Sequence, residues 1–289
     1  MTDPVVMFCT GATKAGTSWL HEVLSDHPEC HFRSVKELHY FDALEHDQRE
    51  GQAAQIRKHT DILRGRLEDA PAARLADIAR RIADREAWLP VIERGNLQAY
   101  TGYLTDGVGK ARVVGDVTPA YALLPERRLR EMAAIAPDVR FVYLLRDPVA
   151  RLWSHVRMIA TRRGGGALDP KRARNVLRRT LGGEETEIAV RGDYAAALTR
   201  LDAAVSPQRR LVLFYEDAVA PGGLDPLCDF LGIGRVQGSD RRVHAGTRLD
   251  MTDEQRDKAR DWLAPQYDFV ARRMGRLPDA WENSRGRRS

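Results

Sequence analysis

The sequence predicts an α/β fold of P-loop-like three-layer α/β/α form, in which a central, mainly parallel sheet lies between layers of helices. Two apolar runs, residues 5–9 and 139–145, have the length and composition of buried strands, and each is followed by a short loop and a helix-like stretch. The chain has 289 residues, of which 43% are apolar, enough to bury one large core. We therefore expect a single domain over residues 1–289.

A glycine-containing loop, residues 11–18, follows the first strand and has the sequence GATKAGTS. A strand that leads into such a turn and then into a helix offers free backbone N–H groups and the positive end of a helix dipole to an anion. The loop departs from the Walker A pattern G-x-x-x-x-G-K-[ST], because Thr17 replaces the lysine and Lys14 lies inside the loop. The sequence therefore predicts a phosphate-binding loop that lacks the usual support for Mg²⁺.

A second candidate anion site follows the strand at residues 139–145. Arg146 comes directly after this strand, Pro148 suits the first turn of the next helix, and Ser154 lies about two helical turns further on. A guanidinium suits phosphate because its planar fork donates two charge-assisted hydrogen bonds. The alternative is a capped helix on which Arg146 and Arg151 pair with Asp147 or with other surface carboxylates.

Taken together and in this order, these motifs resemble those of the sulfotransferases that use 3′-phosphoadenosine 5′-phosphosulfate (PAPS) as donor. The resemblance covers residues 5–41 and 112–155 closely and 192–232 loosely. It implies that the loop binds the 5′-phosphosulfate, that Arg146 and Ser154 bind the 3′-phosphate, that adenosine 3′,5′-bisphosphate (PAP) is the product, and that no metal takes part. The donor-binding residues that it implies are Thr13, Lys14, Ala15, Gly16, Thr17, Ser18, Trp19, Arg146, Ser154, Tyr194, Gly246, Thr247 and Arg248, the last three in a loop without the Lys-Gly-Arg character of the best-matched relatives.

The segment KELHYF, residues 36–41, carries the predicted catalytic base. It is similar to the K-E-x-x-[YF]-F segment of the carbohydrate and heparan-type sulfotransferases, which places the chain closer to that branch than to the cytosolic small-molecule branch. The resemblance implies that Glu37 takes the acceptor proton. Lys14 is expected to stabilise the leaving phosphate oxygen. His39 has a weaker claim to a catalytic role, the alternative being a histidine that bonds a backbone carbonyl, and Lys36 either faces the sulfate or pairs with an acid.

The sequence gives less information about acceptor binding than about the donor. Asp116 and Tyr121 belong to a segment, VVGDVTPAY, that resembles one lining the acceptor side of the family's cleft, although an ordinary turn with a packed aromatic is equally consistent with it. Residues 45–100 and 157–190 fall where the family inserts acceptor-binding elements, and the triple glycine at 164–166 predicts either a lid or a plain flexible connection. We expect a small-molecule, glycan or lipid acceptor with a hydroxyl or an amine.

Composition limits the other classes of protein. The net charge is +5, but aromatic residues make up only 7% and are not interleaved with the basic ones, so a nucleic-acid surface is not indicated. Three cysteines, an odd number, favour reduced thiols and a cytoplasmic location, and neither a membrane-spanning run nor a signal peptide is seen. No histidine or cysteine spacing matches a metal site.

Two competing functions remain open at this point. A P-loop kinase or other nucleotide phosphotransferase would require Mg²⁺ and turn over ATP. A non-catalytic module that binds PAP or a sulfated ligand would keep the fold without consuming the donor.

Two further predictions concern the C-terminal part of the chain. Residues 210–217 resemble a strand that ends in acids. Thr252 and Gln255 form the signature of a capping box, opening a helix that Pro265 interrupts or bends.

Overall fold

The computed structural model describes residues 3–236 and 249–281, and its centre is a five-stranded sheet. Within the described residues the spatial order is β2–β3–β1–β4–β5, and every pair of neighbours is parallel. The α/β fold with a central parallel sheet is therefore confirmed. The strands are β1 (Val5–Gly11), β2 (Cys30–His31), β3 (Val113–Val117), β4 (Val139–Leu145) and β5 (Arg210–Phe214).

Helices flank this sheet, which explains why its central strands are mostly apolar. Six of the seven residues of β1 and six of the seven of β4 are buried, as expected when helices cover both faces of a parallel sheet. The α-helices are α1 (Thr17–Ser25), α2 (Tyr40–Glu45), α3 (Arg49–Glu68), α4 (Ala72–Arg94), α5 (Leu97–Thr105), α6 (Glu126–Ala133), α7 (Pro148–Arg163), α8 (Pro170–Leu181), α9 (Thr186–Val190), α10 (Tyr194–Ala204), α11 (Tyr215–Ala218), α12 (Asp225–Leu231) and α13 (Asp253–Met274). Short 3₁₀ helices cover Pro119–Leu123 and Pro207–Arg209.

The described part of the insertion at 45–100 is mainly a pair of long helices, α3 and α4, that pack against each other. Leu63, Ile78 and Ile82 form a small apolar cluster between them, separate from the main core around the sheet. This cluster gives the helix pair an apolar centre of its own. None of the described helices is long and apolar enough to cross a membrane.

Two details of the C-terminal part differ from the sequence-based expectation. Strand β5 ends at Phe214, and the acids that follow lie in α11, where the Glu216 carboxylate accepts a hydrogen bond from the backbone N–H of Asp147 at 3.0 Å. Helix α13 has the predicted capping box but runs through Pro265 without a break. Burial of Leu263 and Tyr267 against the core offsets the lost backbone hydrogen bond, so packing outweighs the local preference.

Candidate active site

A cavity of about 580 Å³ lies where the carboxyl ends of β1 and β4 meet the helices. The glycine loop follows β1 and Arg146 follows β4, and because the two strands are parallel neighbours both segments emerge at the same edge of the sheet. The predicted site residues that line the cavity are Thr13, Lys14, Gly16, Thr17, Ser18, Trp19, Lys36, Glu37, His39, Arg146 and Ser154.

The loop turns into α1 at Gly16, which adopts φ = 96° as the N-cap residue. A Cβ atom at this position would overlap the ring of Tyr215, and the left-handed conformation itself disfavours a side chain. Gly16, Thr17 and Ser18 place the N-terminus of α1 on the cavity wall, where its N–H groups and dipole favour an anion. Ala15, in contrast, is fully buried and does not line the cavity.

Lys14 and Arg146 come from the two different strand ends and lie next to each other. The Nη1 atom of Arg146 donates a hydrogen bond to the backbone carbonyl of Lys14 at 3.1 Å, and its guanidinium lies 5.3 Å from the ring centre of Tyr215. Burial lowers the pKa of Lys14, Glu37 opposes this shift, and the nearby cations reinforce it. Neither Lys14 nor Arg146 pairs with a carboxylate among the residues that the structure describes.

The alternative in which Arg146 pairs with Asp147 is not what the structure contains. Asp147 is the N-cap of α7: its Oδ1 accepts from the N–H of Ala150 at 2.8 Å, and its Oδ2 accepts from the hydroxyl of Tyr267 at 2.7 Å. Arg151 is fully buried, and its guanidinium contacts no carboxylate within residues 3–236 and 249–281. The Arg146 side chain is therefore left for the cavity.

Tyr194 does not line the cavity but contacts the backbone of Arg146, which does. The side chain is fully buried, and its hydroxyl donates to the backbone carbonyl of Arg146 at 2.6 Å. Its contact in this structure is therefore with the backbone that carries Arg146, and the contact with a donor nucleotide that the family resemblance implied stays a prediction.

Glu37, His39 and Asp42 form a charged series beside the cavity, joined by a hydrogen bond between His39 and Asp42 and an ion pair between His39 and Glu37. The Nδ1 atom of His39 lies 2.7 Å from Oδ2 of Asp42, and its Nε2 atom lies 3.6 Å from Oε2 of Glu37. Glu37 also pairs with Lys36. Sequence reasoning missed Asp42, for which the only available signal was its position three residues after His39 at the start of α2.

The charges of this series are mutually stabilising. Burial alone would lower the pKa of His39, but the hydrogen bonds and charges of Asp42 and Glu37 raise it to about 9. Burial alone would raise the pKa of Glu37, but His39 and Lys36 lower it to about 2. At neutral pH the series therefore holds an imidazolium between two carboxylates, with both ring nitrogens acting as donors.

Three of the residues that line the cavity have an unusual backbone conformation. Lys14, Glu37 and His39 adopt φ values of 69°, 63° and 53°, the left-handed region that residues other than glycine rarely occupy. Each such residue costs on the order of 1–3 kcal/mol and persists where the surrounding structure enforces it, which happens often at functional sites. The predicted catalytic residues are thus held in fixed, strained positions around the cavity.

Asp116 and Tyr121 lie beneath the cavity and are shielded from it. Asp116 accepts hydrogen bonds from Thr118 at 2.6 Å, Tyr121 at 2.7 Å and Tyr100 at 2.9 Å, and it is almost fully buried. Burial raises the pKa of this carboxyl, and the three hydroxyl donors oppose the shift. The Tyr121 oxygen also accepts the backbone N–H of Tyr40 at 3.0 Å, the residue next to His39. This network positions the start of α2, and neither Asp116 nor Tyr121 lines the cavity.

The rest of the cavity wall comes from residues that sequence reasoning did not single out. Their only signal was membership of the segments 45–100 and 157–190, apart from Val35, Pro119, Ala120, His155, Arg191 and Tyr215. His155 is fully buried with no partner for either ring nitrogen among the described residues, and burial together with nearby cations lowers its pKa to about 3, so the ring is neutral. The additional lining residues are Val35, Gln52, Gln55, Ile56, His59, Arg85, Pro119, Ala120, His155, Met158, Arg162, Glu187, Arg191 and Tyr215.

Three predicted donor-binding residues, Gly246, Thr247 and Arg248, lie outside the residues that the structure describes. The triple glycine at 164–166 forms a tight turn after α7, in which the N–H of Gly166 bonds the carbonyl of Thr161 at 3.0 Å.

The fold and the cavity define an α/β protein with an anion site at the carboxyl ends of its parallel strands. Residues 4–237 match the model of the sulfotransferase family, and the chain belongs to that family. No curated protein sequence matches the chain.

Solved structures of sulfotransferases share the fold. A sulfotransferase from Alicyclobacillus acidocaldarius is 22% identical, with 98% of this chain and 100% of that chain covered and a TM-score of 0.62. The sulfotransferase domain of the Synechococcus PCC 7002 olefin synthase is 17% identical, with 96% of each chain covered and a TM-score of 0.52. The sulfotransferase domain from the curacin biosynthetic pathway is 18% identical, with 81% of this chain and 76% of that chain covered and a TM-score of 0.50.

Proposed function

We propose that this sulfotransferase moves the sulfuryl group of PAPS to a hydroxyl or an amine of its acceptor. One observation carries the proposal: Lys14 and Arg146 meet on the cavity wall, joined by a 3.1 Å hydrogen bond, and neither has a carboxylate partner in the described part of the chain. Two unpaired cations beside a helix N-terminus suit a ligand with several phosphate-type groups. Glu37 lines the same cavity and supplies the carboxylate that the transfer needs.

The chain's own residues fit such a donor. Gly16 leaves room at the start of α1, where a Cβ atom would meet Tyr215, so the backbone N–H groups of Gly16, Thr17 and Ser18 are open to the 5′-phosphosulfate. Arg146, which directly follows β4, and Ser154, in the second turn of α7, would hold the 3′-phosphate. The donor supplies a sulfuryl group on a phosphate oxygen that leaves as the S–O bond breaks.

Lys14, on the cavity wall, would stabilise the leaving group. Its strained backbone fixes the side chain in the loop, and the nearby cations keep the electrostatic potential positive. A preorganised cation of this kind acts where charge develops on the phosphate oxygen. The N–H groups at the start of α1 share that charge.

Glu37 would accept the proton of the acceptor hydroxyl or amine. His39 donates toward Glu37 and is itself held by Asp42, so the imidazolium fixes the orientation of the carboxylate. Because its pKa is about 2, Glu37 is fully ionised at neutral pH and is available as an acceptor without prior deprotonation. His39 is charged at that pH and therefore acts as a positioning residue in this scheme.

Calorimetric titration with PAP and with ATP, each with and without Mg²⁺, tests the proposal. PAP should bind without metal, and Arg146→Ala should weaken it by roughly ten- to a hundredfold, the worth of a charge-assisted hydrogen bond. Arg130→Ala removes one exposed charge on α6, away from the cavity, and should leave PAP affinity unchanged. A preference for Mg²⁺-ATP would indicate a phosphotransferase instead.

Donor consumption separates catalysis from binding alone. Wild-type protein should convert PAPS to PAP in the presence of an acceptor mixture, and Glu37→Gln should lose this turnover while it still binds PAP. Tight PAP binding without turnover in any mixture, and with no difference between wild type and Glu37→Gln, would identify a non-catalytic binding module.

A further inference from the structure

The wall of the cavity carries more positive than negative charge. Its two carboxylates are already paired: Glu37 with Lys36, and Glu187 with Arg191 at 3.3 Å. Four other cations have no carboxylate partner among residues 3–236 and 249–281, namely Lys14, Arg85, Arg146 and Arg162.

Two of these four cations are accounted for by the proposed donor site, and two are not. Lys14 and Arg146 lie at the strand ends where the phosphates of the donor would bind. Arg85 lies on α4, and Arg162 lies in the last turn of α7. Both belong to the segments 45–100 and 157–190, which are expected to contact the acceptor.

Arg85 is held in place relative to the catalytic segment. Its Nη1 atom donates to the carbonyl of Arg81 at 2.8 Å. The neighbouring Asp84 accepts from Nη1 of Arg33 at 3.1 Å and from the backbone N–H of Ser34 at 2.8 Å. These bonds tie α4 to the chain three residues before Glu37, and they occupy the carboxylate that could otherwise neutralise Arg85.

A partly buried guanidinium without a counter-charge is unfavourable in the empty cavity. Burial and the charge of Arg81 lower the pKa of Arg85, and the opposing effects of Tyr103 and Asp84 do not restore it. A bound anion would supply that compensation, and the planar fork of arginine suits carboxylate, phosphate and sulfate alike.

We propose that the acceptor carries an anionic group, a carboxylate, phosphate or sulfate, which Arg85 binds with support from Arg162. The proposal rests on the proposed function and adds a substrate class to it. Anchoring at Arg85 would hold the acceptor by its anionic end, so that its hydroxyl or amine reaches Glu37. A purely electrostatic contribution of Arg85 to donor binding is the competing explanation, and it requires that loss of Arg85 also weaken PAP binding.

Titration of the PAP-saturated enzyme with inorganic sulfate tests the anion site directly. The variants are Arg85→Gln and, as a matched control, Arg94→Gln, which removes the same charge from the last turn of the same helix at an exposed position outside the cavity wall. Arg85→Gln should weaken sulfate binding by roughly tenfold or more, the scale of a lost charge-assisted hydrogen bond. The affinity for PAP itself should stay within roughly twofold in both variants.

Two results would overturn the proposal: no measurable sulfate binding by the wild-type PAP complex, or equal sulfate affinities in Arg85→Gln and Arg94→Gln. A loss of PAP affinity in Arg85→Gln would do the same, because it assigns Arg85 to the donor. Failure of the proposed function is a separate outcome, since it appears as absent or Mg²⁺-dependent nucleotide binding before any sulfate is added.

Discussion

The hydroxyl of Tyr194 donates a hydrogen bond of 2.6 Å to the backbone carbonyl of Arg146. Tyr194 is the first residue of α10, whose N-cap Asp193 accepts from the N–H of Ala196 at 3.0 Å, so the phenol is fixed by a capped helix. The end of β4 is thereby supported from the side opposite the cavity.

Tyr194→Phe should weaken PAP binding by roughly two- to tenfold, because the backbone that carries Arg146 loses a buried hydrogen bond of about 1 kcal/mol. Tyr103→Phe is the matched control: its buried hydroxyl donates to the carbonyl of Asp84 at 3.0 Å, away from the donor site. Both variants should lose similar unfolding free energy in denaturant titrations. Equal PAP affinities in the two variants would contradict a positioning role for Tyr194.

Lys14→Ala should reduce turnover of PAPS by roughly a hundred- to a thousandfold, by analogy with the loss of other preorganised charge-stabilising groups. The melting temperature should change little, because the side chain lines the cavity and forms no ion pair in the described part of the chain. Steady-state rates check the loss of turnover, and thermal unfolding of the same preparations checks the melting temperature. Turnover within tenfold of wild type would remove Lys14 from the catalytic scheme.

The His39 imidazolium should make stability depend on pH. Its pKa rises from 6.5 to about 9 because Asp42 and Glu37 outweigh the effect of burial. A raised folded-state pKa contributes stability in full below about pH 6.5, and this contribution declines up to about pH 9. His39→Gln should therefore be clearly less stable than wild type in mildly acidic buffer, and the difference should shrink toward pH 9. A difference that stays constant over this range would show that His39 is not protonated.

Tyr121→Phe should lower turnover while leaving PAP affinity unchanged. The substitution removes the oxygen that accepts the N–H of Tyr40 and donates to Asp116, so the segment that carries His39 and Glu37 loses its support. The stability loss should be about 1–3 kcal/mol because a buried N–H is left without a partner. Calorimetry with PAP, together with steady-state rates, separates the two sides of the cavity; a parallel loss of PAP affinity would argue for general unfolding.

Local signals were sufficient to predict the strand ends and helix starts that carry the Gly16 loop and Arg146. Strand β4 has the predicted bounds, α7 begins at Pro148 as its N-terminal preference suggested, and α1 starts directly after Gly16. Each of these features depends on residues within one strand, one turn or one cap, so the sequence pattern contains the necessary information.

The acceptor side could not be predicted in the same way. Arg85 reaches the cavity because Asp84 bonds Arg33, 51 positions away along the chain, and no periodicity encodes that contact. Asp116 satisfies the turn pattern equally well as a ligand contact or as a buried acceptor, and the pattern does not display the hydrogen bond that it accepts from Tyr100. Long-range packing, which a single sequence does not display, determines these positions.

The apolar cluster of Leu63, Ile78 and Ile82 gives one end of the α3–α4 pair a packed centre of its own, while Trp88 and Ile92 of α4 anchor the other end in the main core. The side chains of this pair at the cavity, Arg85 among them, are attached to its two helices, whereas Lys14 and Arg146 are attached to the sheet. Exchange of the helix pair between relatives could therefore alter acceptor choice with little effect on the donor end. Recombination of the α3–α4 segment alone would then change acceptor specificity, while the strand ends that carry Lys14 and Arg146 stay the same.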